Sequence, residues 1–236
     1  FAAGSQYTTG NSGIIKTSID AGETWETLYP KTGTVPGFKK IKFVSNTRGF
    51  VVGQGSTFLK TTDGGSSWTN INVQNDIWYY SNLTFFDANI GFLTAVLNSG
   101  NAIAYRTADS GDTWTAISSV ANLQTQAVTY ATATTMYSTG NSQMISKSTD
   151  GGNTWAVVKP GAGTNLYFNL AFKDANNGVV SGEDGEVLKT TDGGTTWTQV
   201  LSTGYENLYG LFYSGNHIYA SGTDQNIYYS SNNGGV

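Results

Sequence analysis

Apolar and polar residues alternate along this chain in short runs, and the runs recur. One series ends in an aromatic with an apolar partner two residues earlier: Ile41/Phe43, Leu83/Phe85, Val128/Tyr130, Leu170/Phe172 and, in the fifth copy, Gly210/Phe212. A period of two is the signature of a half-buried strand. Each run is followed by a turn residue (Ser45, Asp87, Thr132, Asp174, Ser214) and a second apolar run: Gly49–Gly53, Gly91–Val96, Met136–Thr139, Gly178–Ser181 and Ile218–Ser221. A third run (Thr57–Thr61, Ala102–Thr107, Gln143–Ser148, Glu186–Thr190, Asn226–Ser230) leads into a glycine-rich turn. Beyond that turn stands a tryptophan with an apolar residue three later: Leu28, Ile71, Ile117, Val158 or Val200. An odd offset puts the pair on opposite faces of a strand, so both faces of the sheet have to be covered.

The turn before the tryptophan is the clearest repeat. It reads Thr191-Asp192-Gly193-Gly194-Thr195-Thr196-Trp197, and close copies surround Asp63 and Trp68, and Asp150 and Trp155. Looser copies surround Asp20 and Trp25, and Asp109 and Trp114; a sixth, at residues 231–236, has no tryptophan. The tryptophans of successive turns are 43, 46, 41 and 42 residues apart, the spacing of an array or propeller of four-strand units. The chemistry is that of a hairpin turn: the carboxylate accepts backbone N–H groups, the glycines take positive φ, and Thr-Trp restarts a strand.

These strings resemble the Asp-box, S/T-x-D-x-G-x-T-W, of β-propellers in sialidases, sortilin-type receptors and the photosystem II stability/assembly factors. The resemblance spans the chain, and Gly49–Gly53 followed by Leu59–Gly65 is most similar to the assembly-factor propellers, which also occur in exported bacterial proteins, notably those of the type IX route. It implies an all-β propeller of four-stranded antiparallel blades, with Asp20, Asp63, Asp109, Asp150 and Asp192 and their tryptophans structural. It further implies a secreted or cell-surface bacterial binding or scaffold module without catalysis, partnered by protein or glycan.

Four complete units are expected at Phe38–Asn72, Tyr80–Ser118, Thr125–Lys159 and Tyr167–Leu201, within one domain over residues 1–236. The flanking remnants are unequal. The first begins at a second strand (Phe1–Ser5) and the last stops after a third, so the expectation is a longer protein of six or seven blades.

Composition narrows the function. Only 12% of residues are charged, net charge is −4, and no basic cluster suited to nucleic acid is expected. There is no cysteine, and so no disulfide or cysteine-ligated metal; neither cofactor nor metal site is expected. No apolar run is long enough for a membrane-spanning helix. The lone His217 reads as a solvated turn residue. The cations ahead of each turn (Lys16, Lys60, Arg106, Lys147, Lys189) read as exposed rim positions.

Sialidases hold their substrate carboxylate with three arginines, and this chain has two, Arg48 and Arg106. A glycosidase needs two carboxylates across a cleft, and the acids outside the repeats are Glu26, Asp76, Glu183, Asp184, Glu186, Glu206 and Asp224. A carbohydrate-active propeller is therefore the first alternative, and a structural repeat of a larger adhesin the second. The aromatic loops ahead of the inner strands supply the candidate ligand site: Trp78, Tyr79, Tyr167, Tyr205 and Glu206, with Trp78 and Tyr205 at equivalent places and exposed.

Overall fold

The structure, a computed structural model, describes residues 2–6, 12–29, 36–117, 120–161, 163–223 and 226–231. The chain divides into two compact units, Phe1–Ile117 and Ser118–Val236. The fold is an all-β propeller of four-stranded antiparallel blades. Among the described residues, four sheets have four strands and two have three.

In the first unit, β1 (Ala2–Gln6), β2 (Ser12–Thr17) and β3 (Glu26–Tyr29) form a three-stranded sheet. Two four-stranded meanders follow. One is β4 (Phe38–Phe43), β5 (Gly49–Gly53), β6 (Phe58–Thr61) and β7 (Thr69–Asn70). The other is β8 (Ile77–Phe85), β9 (Gly91–Leu97), β10 (Ala102–Thr107) and β11 (Thr115–Ala116).

The second unit opens with β12 (Ala127–Tyr130), β13 (Met136–Thr139), β14 (Ile145–Ser148) and β15 (Ala156–Lys159). Next come β16 (Tyr167–Phe172), β17 (Gly178–Gly182), β18 (Val187–Thr190) and β19 (Thr198–Leu201). A three-stranded sheet of β20 (Leu208–Ser214), β21 (His217–Gly222) and β22 (Ile227–Ser230) completes it.

Second strands read as continuous apolar runs because both of their faces are covered. All of β5 is buried. Val51 joins Ile15, Phe38 and Leu59 in a cluster shared with the preceding sheet. Phe50 and Val52 join Phe58, Tyr80, Leu83 and Leu93, shared with the following one. The second unit repeats the plan, with Tyr137, Ile145, Tyr167, Leu170 and Val180 in one cluster and Val179, Leu208, Ile218 and Ala220 in the next.

Each Asp turn is closed by the same bonds. Ser67 donates its N–H to Asp63 Oδ1 at 2.9 Å and its hydroxyl to Oδ2 at 2.6 Å. Thr61 donates its hydroxyl to Oδ1 at 2.7 Å and accepts the Gly65 N–H at 2.8 Å. Asp20, Asp109, Asp150 and Asp192 bond in the same way to the residues four later and two earlier. The hydroxyl four residues on, then the backbone N–H of that residue, stabilise the ionised form. They hold Asp20, Asp63, Asp150 and Asp192 at about 2 and lower Asp109 as well. Asp87 and Asp174 staple the turns between first and second strands by accepting two backbone N–H groups each.

Of the two residues after each Asp, the first is Ala21 or Ser110 in two copies, whereas the second is glycine in all five. All five take positive φ, and in two copies the neighbouring sheet adds a steric reason. A Cβ on Gly194 would stand 2.8 Å from the Tyr137 ring, and one on Gly111 would strike Phe50. Phe50 stacks on Phe85 with centroids 5.5 Å apart, and Tyr137 on Phe172 at 3.9 Å. Trp114 meets Phe85, and Trp197 meets Phe172, edge-on at 5.9 and 6.2 Å.

Three sequence expectations change here. Lys60 and Lys147 do not sit at the rim with their heads free. Lys60 Nζ reaches Asp112 Oδ1 at 2.5 Å, beside Arg48, which binds the other oxygen at 3.1 Å. Lys147 Nζ donates to Gly193 O at 2.9 Å. His217 is the first residue of β21, stacked on Tyr229, with Nδ1 2.8 Å from the Tyr229 hydroxyl.

The fifth inner strand is also offset by one residue. Tyr213 pairs with Ile218 as Phe172 pairs with Gly178, so Tyr213 and Leu211 hold the places assigned to Phe212 and Gly210. The turn after β20 is one residue shorter than its counterparts, and counting back from Ser214 lands on the wrong face. The sixth turn lies outside the described residues beyond Ser231, as does Asp224.

Candidate functional site

The inner strands are not regular. The ladder slips by one residue at Lys39 in β4, at Trp78 and again at Ser81 in β8, at Phe168 in β16 and at Tyr209 in β20. Such bulges free a side chain from the alternation and re-aim it. In the first unit the bulged residues Lys39 and Trp78 come together. With Pro36, Gln54, Gly55 and Tyr79 they line an open cleft of about 580 Å3.

Trp78 is 59% exposed and meets the Tyr79 ring edge-on, with centroids 5.0 Å apart. Lys39 Nζ lies 3.9 Å from the Tyr79 centroid, within cation–π range. Partial burial there lowers the Lys39 pKa from its ordinary value. The floor is rigid. Gln54 donates its N–H to Gly37 O at 2.8 Å, Gly55 to Trp78 O at 3.1 Å, and Thr57 to Gln54 O at 3.1 Å. Gly55, at φ +60°, approaches the Pro36 ring closely enough that a Cβ would stand 3.0 Å from it.

The other residues named from sequence are placed differently. Tyr205 is 75% exposed in the second unit, on the loop before β20. Tyr167 is only 1% exposed, and this corrects its assignment to a ligand surface. It pairs with Gly182 as Phe38 does with Gly53 and Leu208 with Gly222, at a place that packs between sheets in each copy. Glu206 is 0% exposed and is likewise no ligand residue. Its carboxylate accepts Asn226 Nδ2 at 2.6 Å and the Tyr228 hydroxyl at 2.7 Å, tying the Tyr205 loop to the last sheet. That bond to Glu206 pushes Tyr228 up to about 12.

The remaining loop acids are also committed. Asp76 accepts Asn98 Nδ2, Glu183 accepts the Leu166 N–H, Asp184 accepts Asn165 Nδ2 and Glu186 accepts Gln143 Nε2. None of them lines the cleft. Among the described residues, no group of His, Asp and Glu is arranged to hold a metal ion. Lys39 was missed from the sequence, where the lysines read as scattered. The signal was present in Lys39-Lys40-Ile41-Lys42, which puts three of the ten on one inner strand.

The family described as Photosynthesis system II assembly factor YCF48 matches residues 2–126 and 31–158. Among solved structures, the Niastella koreensis GH74 enzyme is 15% identical with a TM-score of 0.65, over 75% of this chain and 31% of that one. A GH74 xyloglucanase from Xanthomonas campestris is 15% identical with a TM-score of 0.63, over 78% and 33%. YCF48 from Cyanidioschyzon merolae is 18% identical with a TM-score of 0.51, over 92% and 89%. The chain thus spans about a third of the GH74 enzymes and most of the algal protein, and likeness at these identities is a likeness of fold. No curated protein matches the chain by sequence.

Proposed function

The chain belongs to the Photosynthesis system II assembly factor YCF48 family, and on that premise we propose that it is a non-catalytic binding and scaffold module, exported and displayed at a bacterial cell surface. The observation that carries this reading is a cleft with an exposed indole and an ammonium and, among the described residues, no carboxylate. A glycosidase needs two carboxylates about 5–9.5 Å apart across its substrate. Here the Asp turns consume five acids as staples, and Glu206 is buried against Asn226 and Tyr228. Export is supported by low charge, an acidic balance and a composition rich in Thr, Ser, Asn and Gly.

The test pairs retention with turnover. Oligosaccharides and peptides are passed over the immobilised chain, and the eluted material is examined for cleavage. Ligand should be retained by the parent chain, lost with Trp78→Ala, and recovered intact. Cleavage products that persist in a Trp78→Ala background but vanish when a loop acid is replaced would overturn the non-catalytic reading. Surface proteolysis of intact cells tests display, and a tagged chain protected until lysis would count against it.

A further inference from the structure

The cleft's chemistry selects among ligand classes, given that the chain is a binding module. The Gln54–Thr57 segment offers an added strand little, because the N–H groups of Gln54, Gly55 and Thr57 are already bonded to Gly37, Trp78 and Gln54 carbonyls. Strand addition draws its affinity from free main-chain groups. The cleft's distinctive groups are its side chains. Three kinds are present: a broad aromatic surface from Trp78, a primary amide from Gln54 and an ammonium from Lys39.

An exposed indole offers a flat apolar face suited to the C–H face of a pyranose, and an amide offers a donor and an acceptor to ring hydroxyls. Lys39 sets the charge. It forms no ion pair among the described residues, no carboxylate lines the cleft, and Lys40 and Lys42 stand on the same strand. In a chain of net charge −4, this strand is a local exception. The volume, about 580 Å3, is within the ~300–1,000 Å3 usual for small-ligand sites.

Resting on the binding-module reading, we propose that the cleft of Lys39, Gln54 and Trp78 binds an acidic saccharide, with pyranose stacked on Trp78 and a uronic carboxylate against Lys39. Titration calorimetry on the full chain tests it with tetragalacturonate, its neutral galactose analogue and a glutamate-rich peptide as probes. Tetragalacturonate should bind saturably and lose affinity with salt, because the ion pair is screened. The neutral analogue should bind about tenfold more weakly, and Lys39→Gln should erase that difference. Trp78→Ala should weaken both sugars by about tenfold, while Tyr229→Phe, outside the cleft, leaves them unchanged. Both cleft side chains are exposed, so equal melting temperatures should accompany these losses.

Equal binding of the neutral analogue, indifference to Trp78→Ala, or no binding of either sugar would overturn the proposal. Tighter binding of the peptide at Trp78 would also sink it, yet leave the binding-module reading standing. Hydrolysis of tetragalacturonate would do the reverse.

Discussion

Tyr137 and Tyr219 are the same residue at the same place in the repeat, and their surroundings differ completely. Tyr137 stands between Thr129 and Lys147 on its sheet, Tyr219 between Phe212 and Tyr229. The Tyr137 ring is fully buried, stacked on Phe172, with its hydroxyl donating to Gly193 O at 2.5 Å. Tyr219 is exposed and leans on Tyr229, part of an aromatic row that continues through Phe212. Both tyrosines satisfy the alternation of a second strand. What separates them is the neighbouring sheet, whose inner-strand aromatic and turn glycine meet the first ring. Burial in this fold is therefore a property of a pair of repeats.

The largest effect should come from removing the two rings. Tyr137→Ala is expected to cost about 3–5 kcal/mol, as for a large aromatic excised from a core. Tyr219→Ala should cost clearly less, because its ring is 37% exposed and leans on Tyr229. Denaturant midpoints measure both, and similar losses would erase the contrast. Next comes Gly194→Ala, expected to cost about 1–3 kcal/mol because the methyl group presses on Tyr137 and the residue sits at φ +79°. That loss should shrink in a Tyr137→Ala background, which a double-mutant cycle would show. Tyr137→Phe keeps the stack and removes only the hydroxyl, and should cost about 1 kcal/mol. Tyr219→Phe should cost nothing measurable.

A further effect is in the turn beneath Tyr137 and is seen through pH. Hydrogen bonds from Thr196 hold Asp192 at about 2, below the ordinary 3.8, so its ionised form favours the folded state. The melting-temperature gap between the parent and Asp192→Asn should be full above the ordinary value and close as pH falls through about 2. A gap that widened in acid would reverse the sign.

Features set by local chemistry were legible in the sequence. The Asp turns could be read because carboxylate, glycine and hydroxyl all lie within five residues of one another. Exposure of Tyr205 followed from its loop, whereas Trp78 is exposed as a bulged residue of β8, and the roles of Tyr167 and Glu206 were not legible. Tyr167 is decided by a bulge at Phe168, which puts it at the buried place of Phe38 and Leu208. Glu206 is decided by Asn226 and Tyr228, some 20 residues away. The slip from Tyr213 to Phe212 has a similar origin, since one residue fewer in a turn reverses which side of the strand is inside. Pairing register is a long-range fact, and the cleft at Lys39 depends on it through two bulges.

The carbonyl of Gly193 accepts from both Tyr137 and Lys147, two residues of the sheet before it. This joint is thus manufactured in halves, the donor in one repeat and the socket in the next. The joint at Asp112 keeps this division with other chemistry, Lys60 and Arg48 reaching a side chain instead of a carbonyl. Where donor and socket are split in this way, an unequal crossover that deletes or copies a whole repeat still leaves donor facing socket. A single substitution inside a joint has no such insurance. Lineages of such chains should then vary in repeat number more freely than in the glycine at the bottom of the socket.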